Sequence, residues 1–359
     1  MTPPEVGSPH TIPHPVRDAV DVAIVGAGPA GLFAAFYAGM RGLSVLLVDS
    51  QPQLGGQLAA LYPEQILYDV PGFAGQTARE VTHRLADQAE LARPVVQLNR
   101  TLQRIVRAQD EFTLHASGTQ YRSRVVILAA GVGALTPKPL PVAAAARYDD
   151  LCLHYHLSDN LNQFLGRQVI VAGNSLQAVD WAIRLSKVAA GVTLVHRHEN
   201  LRVDPHHLEA LRLRGVATRA FCEVAELRGD KHIEQAILRD TRDGRCVEMR
   251  ATDVLAAYGY DSSLAFLNDL DLKLSPTGVC VDTFMRTSRD GIYAVGDVCS
   301  YPGKLKLIAT GFGEAATAVN HAMTWLNPQA NYFPGHSTSV ARRRLAGLQA
   351  SDTATPQLP

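Results

Sequence analysis

Only five of the 359 residues are cysteine, aromatics make up 6%, and neither sign of charge is in excess. The five cysteines, Cys152, Cys222, Cys246, Cys280 and Cys299, are widely spaced, odd in number and include no C-x-x-C pair. That excludes a disulfide framework or a zinc ribbon and favours a reducing, cytoplasmic setting. Lys plus Arg and Asp plus Glu stand at 34 each, which argues against a nucleic-acid binder but leaves room for a local basic patch. Long hydrophobic runs are also missing. The one uncharged stretch, Ile24–Met40, falls short of the roughly 20 residues of a membrane span and is broken by Gly-Ala-Gly-Pro-Ala-Gly. It reads as a buried strand followed by a buried helix, and no membrane association is expected. Residues 1–18 are rich in proline without an apolar stretch, so no secretory signal is expected there. They and residues 341–359 read as flexible tails.

Between the tails, apolar β-branched runs alternate with helical patterns. Val20–Val25, Gly31–Arg41 and Ser44–Val48 read as strand, helix and strand, and Gln168–Ala172, Gln177–Lys187 and Val192–Val195 repeat the order. Such alternation predicts an α/β protein with mainly parallel sheets, and the two units predict two copies of one fold. The prolines at 137, 139 and 141 make Thr136–Pro141 a candidate crossing between domains.

The first unit carries Gly26-Ala-Gly28-Pro-Ala30-Gly31 between strand and helix. Gly26 suits a tight turn, Gly28 lets a pyrophosphate approach the backbone, and Gly31 allows close helix–strand packing. The helix N-terminus offers free N–H groups to phosphate. Asp49 closes the next strand, near the spacing expected of a ribose-binding acid. Strand, glycines, helix, strand and acid in order are far more specific than a lone glycine motif.

Three further segments narrow the reading. Gly291–Asp297 (GIYAVGD) is a short apolar strand ending in Gly-Asp, and Val126–Gly131 (VILAAG) is an apolar run ending in a turn. They resemble the second FAD motif and the A-T-G turn of flavoprotein reductases with two dinucleotide-binding domains, Ala130 standing for the threonine. Ser50–Glu64 (SQPQLGGQLAALYPE), Tyr301–Ala315 (YPGKLKLIATGFGEA) and Pro334–Thr338 (PGHST) are similar to segments of the thioredoxin-reductase-like ferredoxin–NADP⁺ reductases. The resemblance runs from about Val20 to Val340.

It implies two three-layer, Rossmann-like dinucleotide-binding domains, the second inserted into the first. FAD would bind residues 19–135 and 259–340, and NAD(P)H residues 136–258. It further implies that Asp49 holds the adenosine ribose of FAD, that Gln57 contacts the cofactor, and that Leu102 and Leu135 offer backbone contacts. Tyr62 and His336 would stack on opposite faces of the flavin, with Asp297 and Thr338 completing the site. An aromatic and an imidazole on either side of the ring would exclude water and restrain it.

Thioredoxin reductases of this build carry a redox C-x-x-C before the second glycine turn. Here Leu151–Asn160 holds Cys152 alone, and dithiol exchange needs two thiols, so thioredoxin reduction by that route is excluded. Cys299 reads as a small buried residue. His154/His156 and His206/His207 are joined in sequence by no cysteine or carboxylate cluster, so no metal site is expected.

The second nucleotide site departs from the family. Gly173, Asn174, Ser175 and Gln177 align with its NADPH turn, but Ser175 replaces the second glycine, where pyrophosphate comes closest. Arg197 and Arg202 keep two guanidinium groups suited to a 2′-phosphate, while His198 stands where the family has a further arginine. A second domain that has lost its ligand remains open on these residues. The favoured function is FAD-dependent electron exchange between NADPH and ferredoxin, or a similar small iron–sulfur protein, by a homodimer. The flavin would carry the chemistry, with no side-chain acid or base required. Alternatives are a same-fold reductase using NADH or another acceptor such as a quinone, and a non-catalytic flavin-binding redox module. Lys304 and Lys306, beside Gly296-Asp297, are the candidate docking residues for an acidic partner.

Overall fold

Val22 and Ile24 alternate with Ala23 and Val25 along strand β1 (Val20–Val25), and the two pairs enter different hydrophobic cores. A strand buried on both faces belongs in the middle of a layered sheet, where each buried aliphatic side chain contributes about 1.5–3 kcal/mol. The computed structural model describes residues 19–149, 151–158, 160–332, 335 and 338. The two tails lie outside the described residues. The chain forms two compact units: one on either side of an insertion, ending at Ala134 and resuming at Ser263, the other Leu135–Ser262. The two crossings, Ala134–Pro137 and Tyr260–Ser263, pair as a two-stranded ribbon.

In the first unit β1 is followed by α1 (Pro29–Met40), β2 (Val45–Val48), α2 (Gly56–Leu61), α3 (Ala78–Glu90) and β3 (Val95–Gln97). Strands β4 (Leu102–Ala108), β5 (Glu111–Ala116) and β6 (Thr119–Leu128) then form an antiparallel meander. The strand order is β3-β2-β1-β6-β5-β4. Helix α1 starts two residues before the expected Gly31 because Pro29, with its fixed φ and missing N–H, fits the first helical position. Its buried Gly31, Ala34, Ala35 and Ala38 give it a small-residue face that packs on the sheet and on α3. Helix α3 is entered through a capping box in which Thr77 and Glu80 bond each other's backbone N–H.

The second unit has an all-parallel sheet of five strands. They are β7 (Leu153–His154), β8 (Gln168–Ala172), β9 (Gly191–Val195), β10 (Ala217–Arg219) and, after an antiparallel meander, β14 (Asp253–Ala256). The meander is β11 (Cys222–Arg228), β12 (Gln235–Asp240) and β13 (Cys246–Arg250). The sheet order is β7-β14-β8-β9-β10. Ile170 and Ala172 of β8 face a core shared with the meander, while Val169 and Val171 face one built with α4 (Leu176–Leu185). Helix α5 (Pro205–Leu213) again has proline in its first turn.

The chain then returns to complete the first unit. Strand β15 (Ile292–Ala294) pairs in parallel with Val126–Leu128 of β6, and α6 (Ile308–Leu326) packs on α1. Both units are thus α/β with parallel central strands. Among the described residues no helix is long and apolar enough to cross a membrane.

Candidate nucleotide sites

The first site is built where the carboxyl ends of β1, β6 and β15 meet the start of α1. Gly26 has φ +107°, and a Cβ there would lie 2.3 Å from the carbonyl oxygen of Ala129 at the end of β6. A Cβ on Gly31 would lie 1.9 Å from the carbonyl oxygen of Gly26, so only glycine lets the helix close on its own turn. Beyond the turn, a Cβ on Gly56 would lie 2.9 Å from the Cα of Gly28, and one on Gly131 would lie 3.1 Å from Nε2 of Gln57. From the C-terminal part of the unit, Gly296 (φ +71°) and Gly311 approach Ala30 so closely that their Cβ atoms would lie 3.1 and 3.2 Å from its methyl. Four segments distant in sequence therefore line one space with bare backbone.

Asp49 sits at the edge of this cradle. Its Oδ2 accepts a hydrogen bond from the N–H of Ala27 at 2.6 Å, and its Oδ1 accepts one from the N–H of Gln51 at 2.7 Å. The carboxyl is 8% exposed; burial pushes its pKa up, opposed by the backbone hydrogen bonds from Ala27, Gln51 and Ser50. Asp297 is half-buried just after Gly296. Tyr62, which ends α2, keeps 42% of its surface exposed, leaving an aromatic face available. The Leu102 side chain is buried in the core at the start of β4. Thr338 is exposed, and His336 lies outside the described residues. Leu135 is half-buried in the first crossing and counts with the second unit.

Residues around the cradle that the sequence reading did not single out are Gly56, Gly311 and Glu314. Glu314 is 4% exposed on α6, and its Oε2 accepts from the N–H of Gly296 at 2.7 Å. Lys304 donates to Oε1 of the same carboxylate, and so does the Tyr301 hydroxyl at 2.7 Å. With 7% of its side chain exposed, Lys304 is an internal counter-ion. This corrects its expected role in docking, because a buried ammonium paired to a carboxylate offers no charge to a partner. Lys306 is exposed. The Cys299 thiol, fully buried against Glu314 and Lys304, is pushed up to about 12, mainly by burial. It is inert as a nucleophile.

In the second unit a Cβ on Gly173 would lie 2.4 Å from the carbonyl oxygen of Ala257. Ser175 is the N-cap of α4, and its hydroxyl accepts from the N–H of Ala178 at 3.4 Å. The serine therefore turns toward its own helix and takes up one of the N–H groups that a phosphate could use. Asn174 is half-buried, and the side chain of Gln177, 8% exposed, reaches the Tyr260 hydroxyl at 3.4 Å. A cavity of about 410 Å³ at the start of α4 is lined by Leu176, Leu201, Arg202, Val203 and Asp204. Arg202 thus shares this cavity with Leu176, the first residue of α4. Arg197 is exposed and lies over the Tyr258 ring at 5.5 Å. Burial pushes the Tyr258 hydroxyl up to about 12 and the His196 imidazole down, so both are neutral at pH 7.

His206 and His207 are joined by a carboxylate after all. Asp204, the N-cap residue of α5, brings its donor atom within 4.8 Å of theirs. The sequence hid this because Pro205 separates the acid from the imidazoles and starts the helical turn that brings them round.

Residues 20–322 match the family described as pyridine nucleotide-disulphide oxidoreductase. Among curated proteins, the chain is 41% identical over 326 residues to a protein of Halalkalibacterium halodurans named ferredoxin–NADP reductase, covering 90% of this chain and 98% of that one. It is 42% identical, with the same coverage, to ferredoxin–NADP reductase 2 of Shouchella clausii. Among solved structures, the thioredoxin reductase of T. acidophilum superposes with a TM-score of 0.64 at 26% identity, covering 86% of this chain and 99% of that one.

Proposed function

This chain belongs to the pyridine nucleotide-disulphide oxidoreductase family, and from that premise we propose that it is an FAD-dependent ferredoxin–NADP⁺ reductase. The observation that carries the reading is the cradle of bare backbone formed by Gly26, Gly28, Gly31, Gly56, Gly296 and Gly311, with the Asp49 carboxylate at its edge. A dinucleotide needs both parts: close backbone for the pyrophosphate and an acceptor for ribose hydroxyls. FAD, when bound, supplies two-electron exchange with a nicotinamide and one-electron exchange with an iron–sulfur protein.

The chain's own residues bind, orient and shield. The N-terminus of α1 directs free N–H groups and the positive end of its dipole at the pyrophosphate. Asp49 holds the adenosine ribose, while Gln57, Asp297 and Thr338, with backbone of Leu102 and Leu135, complete the FAD contacts. The exposed ring of Tyr62 would shield the flavin from water; the same role for His336 rests on the sequence resemblance alone. NADPH is bound by the second unit at the Gly173–Gln177 turn, and Arg202 and Arg197 select its 2′-phosphate. No dithiol takes part, since Cys299, beside the cradle, is buried and protonated and the sequence holds no C-x-x-C pair. Two copies of the chain form the working unit in the cytoplasm.

Anaerobic titration of the purified, FAD-loaded protein tests this reading. NADPH should bleach the flavin, and oxidised ferredoxin should restore its colour. Bleaching without reoxidation by ferredoxin would move the assignment to a same-fold reductase with another acceptor. Purified protein with no affinity for FAD would overturn it. Light scattering checks the dimer.

A further inference from the structure

Strand β15 hands its backbone to a turn that cannot stay in the sheet. The N–H of Val295 still bonds to the carbonyl of Leu128 at 2.9 Å, but the next N–H, that of Gly296, has left the ladder. A buried backbone donor must find a partner, and here it is the Glu314 carboxylate at 2.7 Å. Every strong acceptor position of that carboxylate is used. Oε2 takes the Gly296 N–H and the Cys299 thiol, and Oε1 takes the Tyr301 hydroxyl and the Lys304 ammonium. Gly311, one helical turn before Glu314 on α6, approaches Gly296, since a Cβ on it would lie 3.6 Å from the Gly296 Cα. Helix α6 therefore touches the Gly296 turn with one residue and holds it with another.

Burying an ion pair is a poor route to stability, because apolar residues of similar volume serve as well or better. The pair is explained if its task is geometry. We infer that Glu314, neutralised by Lys304, is a positioning residue that fixes the Gly296–Asp297 turn for the cofactor through the Gly296 N–H. This rests on the reading of the cradle as the FAD site. Asp297 then meets FAD in the right place because its neighbour's N–H is pinned.

The test separates positioning from stability with two double variants in the full-length protein, stripped of flavin and titrated with FAD. Lys304→Met with Glu314→Gln removes both charges but leaves a side-chain oxygen for the Gly296 N–H. Lys304→Met with Glu314→Leu removes the charges and the acceptor together. The first should bind FAD within about threefold of the parent protein. The second should lose about tenfold or more in FAD affinity, measured at a temperature where both doubles are folded; its cofactor-free melting temperature should also fall, because the Gly296 N–H and the Tyr301 hydroxyl lose their acceptor. Equal FAD affinity in the two doubles, whether both high or both low, overturns the inference. Should the leucine variant not fold, Glu314→Asp keeps the charge beside Lys304 but withdraws the carboxylate by one methylene. It should weaken FAD about tenfold, and unchanged affinity would overturn the inference equally. A parent apoprotein that does not take up FAD would instead sink the FAD reading itself.

Discussion

The carboxylate of Asp49 and the backbone N–H of Ala27 are joined by a hydrogen bond of 2.6 Å, so the acid that closes β2 also shapes the glycine turn at the end of β1. In the proposed reading one side chain would thereby have two tasks, holding the loop and receiving the ribose. Replacing Asp49 with alanine should weaken FAD by about 1.5–3 kcal/mol, the range for hydrogen bonds to a charged acceptor. Asparagine should rescue little, because its amide nitrogen must face either the Ala27 or the Gln51 N–H. FAD retained in full at nanomolar concentrations of Asp49→Ala would remove Asp49 from the ribose site.

The same burial makes FAD binding sensitive to acid. Burial raises the Asp49 pKa, so on acidification this carboxyl takes up its proton at a higher pH than an ordinary aspartate at about 3.9. In the cofactor-free protein its buried charge costs stability above its folded pKa, and that cost disappears as the pH falls below the unfolded value. With FAD the sign is reversed: a neutral carboxyl is a weaker acceptor, so affinity must fall as the pH drops through the raised pKa of the folded, cofactor-free protein. FAD dissociation constants measured between about pH 4 and 8 should show this fall in the parent protein and a flatter profile in Asp49→Ala.

Ser175 and Ala178 make the second unit's turn self-capping. Glycine at 175 would release the Ala178 N–H to a phosphate at a cost to the helix of only a few tenths of a kcal/mol. Ser175→Gly together with His198→Arg should tighten NADPH by about 1 kcal/mol, as befits one regained, partly exposed phosphate contact. The parent protein should still prefer NADPH to NADH because of Arg197 and Arg202. Stopped-flow flavin reduction with both coenzymes checks both statements, and faster reduction by NADH would refute the 2′-phosphate assignment.

Lys304 and Lys306 should now behave as opposites. Lys304→Glu sets two buried carboxylates against each other and should destabilise the protein by at least the roughly 3–5 kcal/mol of a broken internal pair. Its effect should be the same with every electron acceptor. Lys306→Glu should leave the melting temperature within a degree or two and lower only the ferredoxin-dependent rate and its salt sensitivity. Thermal melts, together with rates measured with ferredoxin and with a neutral dye, separate the two. A stable Lys304→Glu variant selectively impaired with ferredoxin would restore the docking role.

The α/β architecture and both glycine turns were legible because each rests on local rules. Apolar β-branched runs make strands, Gly26 and Gly31 sit where any Cβ would clash, and Asp49 follows at the spacing a ribose acid needs. Charge state was not legible. Lys304 and Lys306 look alike in sequence, and only α6 folding back with Glu314 decides that one is internal and the other exposed. Ser175 was legible as a departure, but its direction depends on the N-cap geometry of α4. Asp204 joining His206 and His207 depends likewise on where a helix begins. Long-range pairings and side-chain rotamers lie beyond one-dimensional spacing, and that is where the reading needed correction.

The parallel pairing of β15 with β6 sets the order in which this chain can mature during synthesis. Strand β6 is complete by Leu128, but its partner Ile292–Ala294 leaves the ribosome only after the whole of Leu135–Ser262. The inserted unit, a compact unit of consecutive residues, can therefore fold first, while the first unit waits with one edge of its central strand unpaired. Gly296 and Gly311, two of the six cradle glycines, arrive with that late segment, so cofactor loading must be a late event in biogenesis. Chains stalled before Gly291 would present β6 unpaired and cofactor-free, the form of this protein most exposed to aggregation and to proteolytic clearance.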